Sequence, residues 1–322
     1  MQLSAIYQPI QEDLSRVEDR LRSLQKPEGL PWMGEPLEYT LGDGGKRVRP
    51  ALTLLAGGFH VYDLDLLLPM AVGVELFHTA TLVHDDVVDE SPVRRGKPTI
   101  ANRWGKGVAV LLGDYFFATS ADLVASTGNL AVVRLYAQTL LTMSSGELGQ
   151  SLSDFDPGAV RRRYYSWIGS KTASLFSMAT HSGAILSQAP PEAVEALKGY
   201  GLNLGLSFQV VDDILDVVGE EKELGKPVGI DLIQGSITLP LILVMEQHPE
   251  SALIKQVLEN RVDEKSLRQA LEMVTHPDII GECYNIARNF RDRALECLEP
   301  LSFNRFHGPL TDLAHYVLER KK

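Results

Sequence analysis

The chain has 322 residues, of which 44% are hydrophobic and 23% are charged, and its formal net charge is −11. This composition is typical of a soluble globular protein with a sizeable core. The negative charge argues against nucleic acid as a partner, because phosphate backbones favour basic surfaces. The two cysteines, Cys283 and Cys297, are too few for a disulfide framework and fit a reducing compartment.

The N-terminal stretch MQLSAIYQPIQEDLSR lacks the basic and then apolar pattern of a signal peptide. No uninterrupted apolar run reaches the roughly 18 residues that a bilayer-spanning helix needs. We therefore expect a cytoplasmic protein with no transmembrane segment.

Helical periodicity runs along nearly the whole chain. Apolar residues recur at spacings of three and four, and strand patterns bounded by hairpin dipeptides are scarce. The predicted helices cover residues 64–89, 108–127, 130–153, 171–187, 192–218 and 277–299. Prolines and glycines fall between them, as helix breakers should. The pattern predicts an all-α fold, with one domain over residues 1–322 and long helices packed around a central space.

An acidic cluster, Asp85, Asp86 and Asp89, closes the first of these helices. Residues three and four apart share a helix face, so the three carboxylates can converge at one helix end. This is the C-terminal end, where the helix dipole disfavours anions. The cluster therefore needs a nearby cation.

A second cluster, Asp212, Asp213 and Asp216, repeats this arrangement in FQVVDDILDVVG. One such cluster alone can be a solvated acidic patch, but two clusters with apolar flanks, each followed by a basic loop, favour metal binding. Carboxylates without a histidine or cysteine partner indicate a hard cation. Mg²⁺ is preferred, because water and substrate phosphate oxygens usually complete its shell. The pattern therefore predicts a phosphorylated ligand.

Basic residues follow both clusters. Arg94 and Arg95 lie just past the first cluster. Lys226 follows the second cluster, within residues 219–236, the longest break in the helical pattern. Long ordered loops are often functional, and guanidinium and ammonium groups suit phosphate oxygens.

A third basic segment lies upstream, where GDGGKRVRP places Lys46, Arg47 and Arg49 on a glycine-rich turn. Backbone amides in such a turn can approach an anion. A basic loop alone is usually solvated surface, so the prediction of a phosphate site depends on its pairing with the acidic clusters.

The sequence resembles the trans-isoprenyl (polyprenyl) diphosphate synthases over nearly its whole length. The motifs that carry the resemblance are GGKRVRP (44–50), ELFHTATLVHDDVVDESPVRRGKPT (75–99), GSKTASLF (169–176), FQVVDDILD (208–216) and GKPVGIDLIQGSITLP (225–240). HTATLVHDDVVD is similar to the long-chain members that make quinone side chains. The resemblance implies an all-helical bundle of the isoprenoid synthase type, with the two aspartate motifs facing each other across a deep central cavity.

The resemblance also implies a role for each matching side chain. About three Mg²⁺ ions would be bound, by Asp85, Asp86, Asp89 and Asp212, with support from Asp213 and Asp216. The allylic diphosphate would be held by Arg94, Lys171 and Lys226. Isopentenyl diphosphate would be held by Lys46, Arg49, His78 and Arg95, with the basic tail Arg320-Lys321-Lys322 closing over it. The allylic cation would form beside Thr172 and Gln209.

Two histidines precede the first cluster. A histidine on an apolar helix is most often a satisfied core residue. His78, however, lies seven residues before Asp85 on a helical ridge that leads to Asp89, so we predict that it binds ligand. His84 has no comparable argument, and we predict a structural role for it.

The implied reaction is a Mg²⁺-dependent head-to-tail (1'-4) condensation of isopentenyl diphosphate with an allylic diphosphate, farnesyl or geranylgeranyl. Metal ions and basic side chains neutralise the departing diphosphate, so that the allylic C–O bond ionises. The isopentenyl double bond then attacks the cation, and the released pyrophosphate takes the proton. The cavity must exclude water, which would otherwise quench the cation.

Product length would depend on the side chains below the first aspartate motif. In the family, an aromatic residue four or five positions before the first aspartate gives short products, whereas here Thr81 and Ala80 occupy these positions. Phe77, one turn deeper, would form a lower floor. We expect an all-trans product of roughly six to eight isoprene units, with geranylgeranyl diphosphate as the shorter alternative. Ser236 stands where many relatives carry a lysine that contacts diphosphate.

Two alternatives come from other functional classes. A class I terpene cyclase would share the helical fold and the first motif, but its second motif normally mixes asparagine, serine or threonine, and glutamate. A regulatory subunit of a heteromeric prenyl synthase tends to lose its aspartates, which are all present here. A catalytic subunit that needs an unlike partner stays open. The resemblance favours a homodimer that releases its product to a membrane.

Overall fold

The computed structural model describes residues 2–24, 29, 31–42, 44–152, 157–219, 229, 232, 236–258 and 263–320. Its α-helices are α1 (Leu3–Ile6), α2 (Gln11–Leu24), α3 (Gly34–Leu41), α4 (Val48–Gly57), α5 (Leu64–Val88), α6 (Ile100–Trp104), α7 (Lys106–Ser126), α8 (Leu130–Leu152), α9 (Val160–Ile168), α10 (Ser174–Leu186), α11 (Pro191–Val218), α12 (Leu239–Gln247), α13 (Ala252–Leu258), α14 (Glu264–Val274), α15 (Pro277–Leu298) and α16 (His307–Glu319). In the described residues, the only strands are β1 (Val93–Arg94) and β2 (Lys97–Pro98), which form an antiparallel hairpin. The all-α prediction is confirmed.

The six predicted helices correspond to α5, α7, α8, α10, α11 and α15, and each ends within a few residues of its predicted bounds. The fourth differs in kind at its start. Residues Gly169–Ala173 form a π-helix that runs directly into α10. The predicted loop over residues 219–236 lies largely outside the described residues, as does Lys226.

The hairpin β1–β2 was not predicted. Its turn residues, Arg95 and Gly96, have φ angles of 51° and 75°. Two positive φ angles in a two-residue turn suit the twist of paired strands. The strands are only two residues long, too short to produce an alternating pattern in the sequence.

The chain divides into two compact units. The first contains Met1–Leu141, Leu175–Gly201 and Glu296–Leu313, and the second contains Thr142–Ser174, Leu202–Leu295 and Ala314–Lys322. Helices α8, α10, α11, α15 and α16 contribute residues to both units. One domain over residues 1–322 stays a prediction.

Helix α5 is the core element of the first unit, where it packs against α4 and α7. Its apolar face, including Leu67, Met70 and Val74, is fully buried. The contact with α7 is close, because Ser120 Oγ donates a hydrogen bond of 2.7 Å to the carbonyl oxygen of Gly73. This packing fixes the rotation of α5, and with it the directions in which the acidic residues at its C-terminal end project.

In the second unit, the last turns of α11 are anchored by buried Val210, Val211 and Ile214. Helix α12 packs against α9 and α14. The apolar residues that precede and separate the aspartates of the second cluster therefore hold that cluster on a fixed helix.

Helices α5 and α7 are long and apolar enough to cross a membrane, by length and composition only. We expected no helix of this kind, because no uninterrupted apolar run is long enough, whereas this criterion uses the mean hydropathy of a whole window. In α5, 61% of the most apolar window is buried inside the structure, and in α7 the share is 39%. A core helix of a globular protein meets the same criterion, and α5 is such a helix.

Candidate active site

The first acidic cluster lies at the C-terminal end of α5, where Asp89 is the capping residue. Asp86 is buried, and Arg94 Nε donates a hydrogen bond of 2.7 Å to its Oδ1. Burial raises the pKa of Asp86, and Arg94 opposes this shift. Asp85 is half-buried and Asp89 is exposed. The hairpin β1–β2 thus returns Arg94 to the helix end that carries the cluster.

His78 lies among basic groups in the same unit. Burial lowers the pKa of His78 well below its usual value, and the charges of Arg49, Arg95, Arg94 and Arg47 lower it further. The imidazole is therefore neutral at physiological pH and can donate one hydrogen bond to an anion. The structure brings His78 together with three of the predicted diphosphate-binding arginines.

Arg47 differs from its two basic neighbours in the glycine-rich turn. Its Nε lies 2.5 Å from Glu18 Oε1, and its Nη1 lies 2.8 Å from Glu75 Oε1. The guanidinium is only 11% exposed, and the residue adopts a left-handed conformation with φ of 48° at the start of α4. Arg47 therefore differs from Lys46 and Arg49, because its charge is used in an ion-pair triad with buried Glu75 and with Glu18, which is 28% exposed.

Lys46 and Arg49 are half-buried on either side of this triad. The Tyr7 hydroxyl donates a hydrogen bond of 3.1 Å to the carbonyl oxygen of Lys46. The Arg49 guanidinium lies 4.9 Å from the centroid of the Phe176 ring. Backbone and ring contacts thus fix the two basic residues that we predicted to hold isopentenyl diphosphate.

The chain-length residues lie in the core of the first unit. Phe77 and Ala80 are fully buried, whereas Thr81 is half-buried. The Phe77 ring packs edge-on against Phe117 at 5.3 Å and against Tyr136 at 5.1 Å between centroids. We call Phe77, Phe117 and Tyr136 the aromatic cluster. Phe77 lies one turn before the small residues Ala80 and Thr81 on α5, and Phe117 also contacts the ring of His84 at 5.6 Å between centroids.

In the second acidic cluster, Asp213 is the centre of a hydrogen-bond network. Its carboxylate accepts hydrogen bonds from Tyr164 Oη at 2.7 Å, from Gln209 Nε2 at 3.0 Å and from the backbone amide of Leu239 at 3.1 Å. Gln209 Oε1 in turn accepts a hydrogen bond of 2.7 Å from Thr172 Oγ1. Burial raises the pKa of Tyr164 well above its usual value, so Tyr164 remains a donor.

Asp212 and Asp216 have different surroundings from Asp213. Asp212 is 42% exposed, and its Oδ1 lies 2.6 Å from Arg320 Nη2. Asp216 is buried, and its carbonyl oxygen accepts a hydrogen bond from the amide of Gly229. We expected Arg320 in a closing tail, but it is buried against the second cluster, and the rest of that tail lies outside the described residues.

The π-helix carries Lys171 and Thr172. A π-helical turn is rare and frequently marks a functional site. Lys171 Nζ lies 3.2 Å from Glu147 Oε1, which also accepts a hydrogen bond of 3.1 Å from Trp167 Nε1. Lys171, which we predicted to contact a diphosphate, thus forms an ion pair with Glu147 in this structure.

The donor set suits a hard cation. Among the described residues, no group of three or more metal-ligating side chains encloses a point where an ion would sit. Mg²⁺ is typically held by one or two carboxylates and completed by water and phosphate oxygens. Within the first unit, Asp85 and Asp89 carry oxygen ligands of this kind, and within the second unit Asp212 does; the remaining ligands would come with a diphosphate substrate.

Sequence reasoning missed several residues of the site. Tyr164 and Trp167 lie in the polar and aromatic run of α9, where no motif marks them. Glu147 matches a family pattern but has no acidic neighbour that would single it out. The structural role predicted for His84 agrees with its position, since its Nε2 lies 3.0 Å from the carbonyl oxygen of Val110.

Comparison with known proteins identifies the family. The family model described as polyprenyl synthetase matches residues 30–274. Heptaprenyl diphosphate synthase component 2 of Geobacillus stearothermophilus is 37% identical over 320 residues, and the alignment covers 99% of both chains. The chain belongs to the polyprenyl synthetase family. The fold of this polyprenyl synthetase agrees with that assignment.

Two solved structures are similar over the full length of this polyprenyl synthetase. A decaprenyl diphosphate synthase from Rhodobacter capsulatus has a TM-score of 0.92 at 35% identity, and the alignment covers 100% of both chains. A polyprenyl synthase from Caulobacter crescentus, complexed with calcium and isoprenyl diphosphate, has a TM-score of 0.92 at 31% identity over 100% of this chain and 98% of that chain. The fold is therefore the all-α isoprenoid synthase fold.

This polyprenyl synthetase is a prenyltransferase of the long-chain type. It condenses isopentenyl diphosphate head-to-tail with an allylic diphosphate and gives a long-chain all-trans polyprenyl diphosphate. The predicted family and reaction class are confirmed.

Proposed function

We propose that this polyprenyl synthetase is a cytoplasmic, Mg²⁺-dependent homodimer whose product has roughly six to eight isoprene units, since the depth of an apolar pocket limits the substrate it accepts. The observation that carries the product length is Phe77, which lies one turn before Ala80 and Thr81 on α5 and packs against Phe117 and Tyr136. Farnesyl or geranylgeranyl diphosphate would be the allylic starter.

Metal ions would be bound by Asp85 and Asp89 in the first cluster, and by Asp212 in the second. About three bound Mg²⁺ ions would neutralise the negative charge that develops on the departing diphosphate. Asp86 would act through Arg94, and Asp213 through Gln209, because both carboxylates are buried and hydrogen-bonded. Asp216 would support the cluster from its buried position. The similar Caulobacter crescentus protein was solved with calcium, another oxygen-binding cation.

The basic side chains would bind and orient the two substrates. Arg94, Lys171 and Lys226 would hold the allylic diphosphate, with Lys171 moving from Glu147 to the substrate. Lys46, Arg49, His78 and Arg95 would hold isopentenyl diphosphate, and neutral His78 would donate a hydrogen bond to it. Holding both substrates together raises the effective concentration of the double bond at the allylic carbon.

Thr172 and Gln209 would lie beside the developing allylic cation. The Thr172 hydroxyl donates its hydrogen bond to Gln209 Oε1, so the lone pairs of the hydroxyl oxygen would point away from Gln209. Oxygen lone pairs stabilise nearby positive charge without reacting when water is excluded. The proton lost after carbon–carbon bond formation would go to pyrophosphate, so no protein base is required.

The length of the product would be limited by the aromatic cluster. A growing chain that passes Ala80 and Thr81 would next meet Phe77, which Phe117 and Tyr136 hold in place. Tyr136 is itself fixed by a hydrogen bond of 3.1 Å from its hydroxyl to the carbonyl oxygen of Phe117. A floor built of three interlocked rings yields less readily than a single side chain.

Product analysis tests this proposal. The purified chain is incubated with Mg²⁺, isopentenyl diphosphate and farnesyl diphosphate, and the dephosphorylated products are sized by chromatography and mass spectrometry. We expect a ladder that ends near six to eight units. Phe77→Ala should lengthen the final product, whereas the control Phe116→Ala, outside the aromatic cluster, should not. A wild-type product that ends at geranylgeranyl would contradict the proposed length.

Exposed apolar side chains support the homodimer. On α7 and α8 of the first unit, Leu111, Leu130 and Leu141 are 69%, 65% and 68% exposed. Large apolar groups exposed together on neighbouring elements of the chain favour a protein interface. A second copy would bury them.

A second candidate is a catalytic subunit that needs an unlike partner. The similar Geobacillus stearothermophilus protein is named a component 2, which favours this possibility. Activity of the purified chain without added protein distinguishes the two. Elongation by the chain alone supports the self-sufficient enzyme, and elongation only after addition of a second protein supports the heteromeric one.

A further inference from the structure

Arg320, near the C-terminus, makes three contacts with α11 at the second acidic cluster. Arg320 Nη2 lies 2.6 Å from Asp212 Oδ1 and donates a hydrogen bond of 2.7 Å to the carbonyl oxygen of Phe208. Its guanidinium carbon lies 3.7 Å from the centroid of the Phe208 ring. The Arg320 side chain is only 2% exposed, whereas that of Asp212 is 42% exposed.

Two of these three contacts do not involve Asp212. The carbonyl oxygen and the ring of Phe208 lie one turn before Asp212 on α11, so they hold the guanidinium on that helix independently of the aspartate. Arg320 Nε is also buried, with no hydrogen-bond partner in the described residues. A desolvated guanidinium stacked on an aromatic face is strongly held. Arg320 is therefore anchored whether or not Asp212 binds a cation.

The anchored guanidinium constrains one side of the Asp212 carboxylate. A carboxylate has two oxygens, and only Oδ1 is engaged by Arg320. The Asp212 side chain is 42% exposed, so a ligand can approach the carboxylate. Partners of this kind orient metal-binding carboxylates, and their loss typically lowers metal affinity by about 10–100-fold.

We propose that Arg320 is a positioning residue for Asp212: it fixes the carboxylate through Oδ1 and so presents Oδ2 to the metal. This inference rests on the proposed metal-binding role of Asp212. The guanidinium stays in place when the metal binds, and the metal gains an oxygen whose direction is already set. The positive charge of Arg320 weakens the attraction of Asp212 for a cation, but the fixed orientation outweighs that loss.

A double-mutant cycle with Asp212 tests the proposal. The full chain is titrated with Mn²⁺ alone, as a paramagnetic substitute for Mg²⁺, and free Mn²⁺ is measured by electron paramagnetic resonance. Arg320→Gln should weaken Mn²⁺ binding about tenfold. In an Asp212→Asn background, the same substitution should change Mn²⁺ binding by less than about twofold, because the oriented carboxylate is already absent.

A purely structural role would affect both backgrounds equally, and that result would overturn the proposal. Tighter Mn²⁺ binding by Arg320→Gln would also overturn it, because Arg320 would then be a competitor of the metal. The matched control is Arg161→Gln, which removes an arginine that pairs with Glu246 in the same unit and should leave Mn²⁺ affinity unchanged.

Two further results keep this inference separable from the proposed function. If Asp212→Asn itself leaves Mn²⁺ binding unchanged, the metal role of Asp212 fails, and the inference with it. If Asp212→Asn weakens binding and Arg320→Gln does not, only the inference fails. Should Arg320→Gln not fold, Arg320→Lys replaces it in the cycle. Lysine keeps the charge but not the planar fork, so it should weaken Mn²⁺ binding in the wild-type background only.

Discussion

The three aspartates of the second cluster are equivalent in sequence but not in their surroundings. Asp212 is accessible, whereas Asp213 and Asp216 are each 2% exposed. Three donors surround Asp213, one of them from Tyr164, so its carboxylate is a fixed acceptor within the unit. Burial separates the aspartate that can reach a ligand from those that hold the helix end in place.

Tyr164→Phe should lower the free energy of unfolding by about 1.5–3 kcal/mol, because it removes a hydrogen bond to a buried carboxylate. It should also lower kcat, since Gln209 and Thr172 are held through the same carboxylate. Urea denaturation and steady-state kinetics measure the two effects. The control is Tyr165→Phe, whose ring contacts Phe290 and whose hydroxyl is hydrogen-bonded with Arg161; equal losses in both variants would contradict this role.

His78 should make the stability of the protein dependent on pH. Its folded pKa lies well below the ordinary value of 6.5, so below pH 6.5 the unfolded chain binds a proton that the folded chain does not. The contribution of neutral His78 to the free energy of unfolding is complete above this pH. It is lost as pH falls, at up to about 1.4 kcal/mol per pH unit. Denaturation of His78→Gln between pH 5 and 7 should show a shallower dependence, whereas exposed His248→Gln should match the wild type.

At the scale of elements, hydrophobic periodicity was sufficient to predict the long helices, including α5, which is buried on every side over residues 70–77. It could not predict the π-helix Gly169–Ala173, whose extra residue per turn leaves no compositional mark. The basic turn before α4 illustrates the same limit. Its sequence shows three cations, but only the contacts with Glu18 and Glu75 reveal that Arg47 belongs to the core.

The buried triad should be a strong link between α2, α4 and α5. Arg47→Met should lower the free energy of unfolding by about 3–5 kcal/mol, because two carboxylates lose their cation in a poorly solvated site. Urea denaturation measures the change. The control is Arg103→Gln, which breaks an exposed ion pair with Glu35 and should cost about 1 kcal/mol or less.

Further replacement of both carboxylates by glutamine, together with Arg47→Met, should recover much of the stability lost in the single variant. No recovery would mean that Arg47 acts through packing rather than through charge.

At the scale of the whole molecule, the net charge of −11 argues against a polyanionic polymer as a partner but does not exclude small diphosphates. Locally, Arg49, Arg94 and Arg95 near His78 form a basic site in the first unit. The reaction class followed from ordered motifs such as residues 75–99 and 208–216. Product length and assembly could not be predicted in the same way, since they depend on side chains that no motif fixes.

Assembly should depend on the exposed leucines of α7 and α8. Leu111→Glu should shift the protein towards monomers, because a charge in an apolar interface is not solvated. Analytical ultracentrifugation over a range of concentrations measures the shift. The control Val61→Glu changes an exposed apolar residue away from these helices; if both variants sediment like the wild type, α7 does not form the interface.

The π-helix also limits how the length of this chain can vary. Deleting one residue from Gly169–Ala173 would allow a regular α-helix to form, and would turn α9 by about 100° relative to α10. Lys171 would then lose its register with Glu147, and Thr172 its register with Gln209. Insertions and deletions are usually tolerated in loops, but here a single lost codon would be more damaging than most substitutions at the same positions.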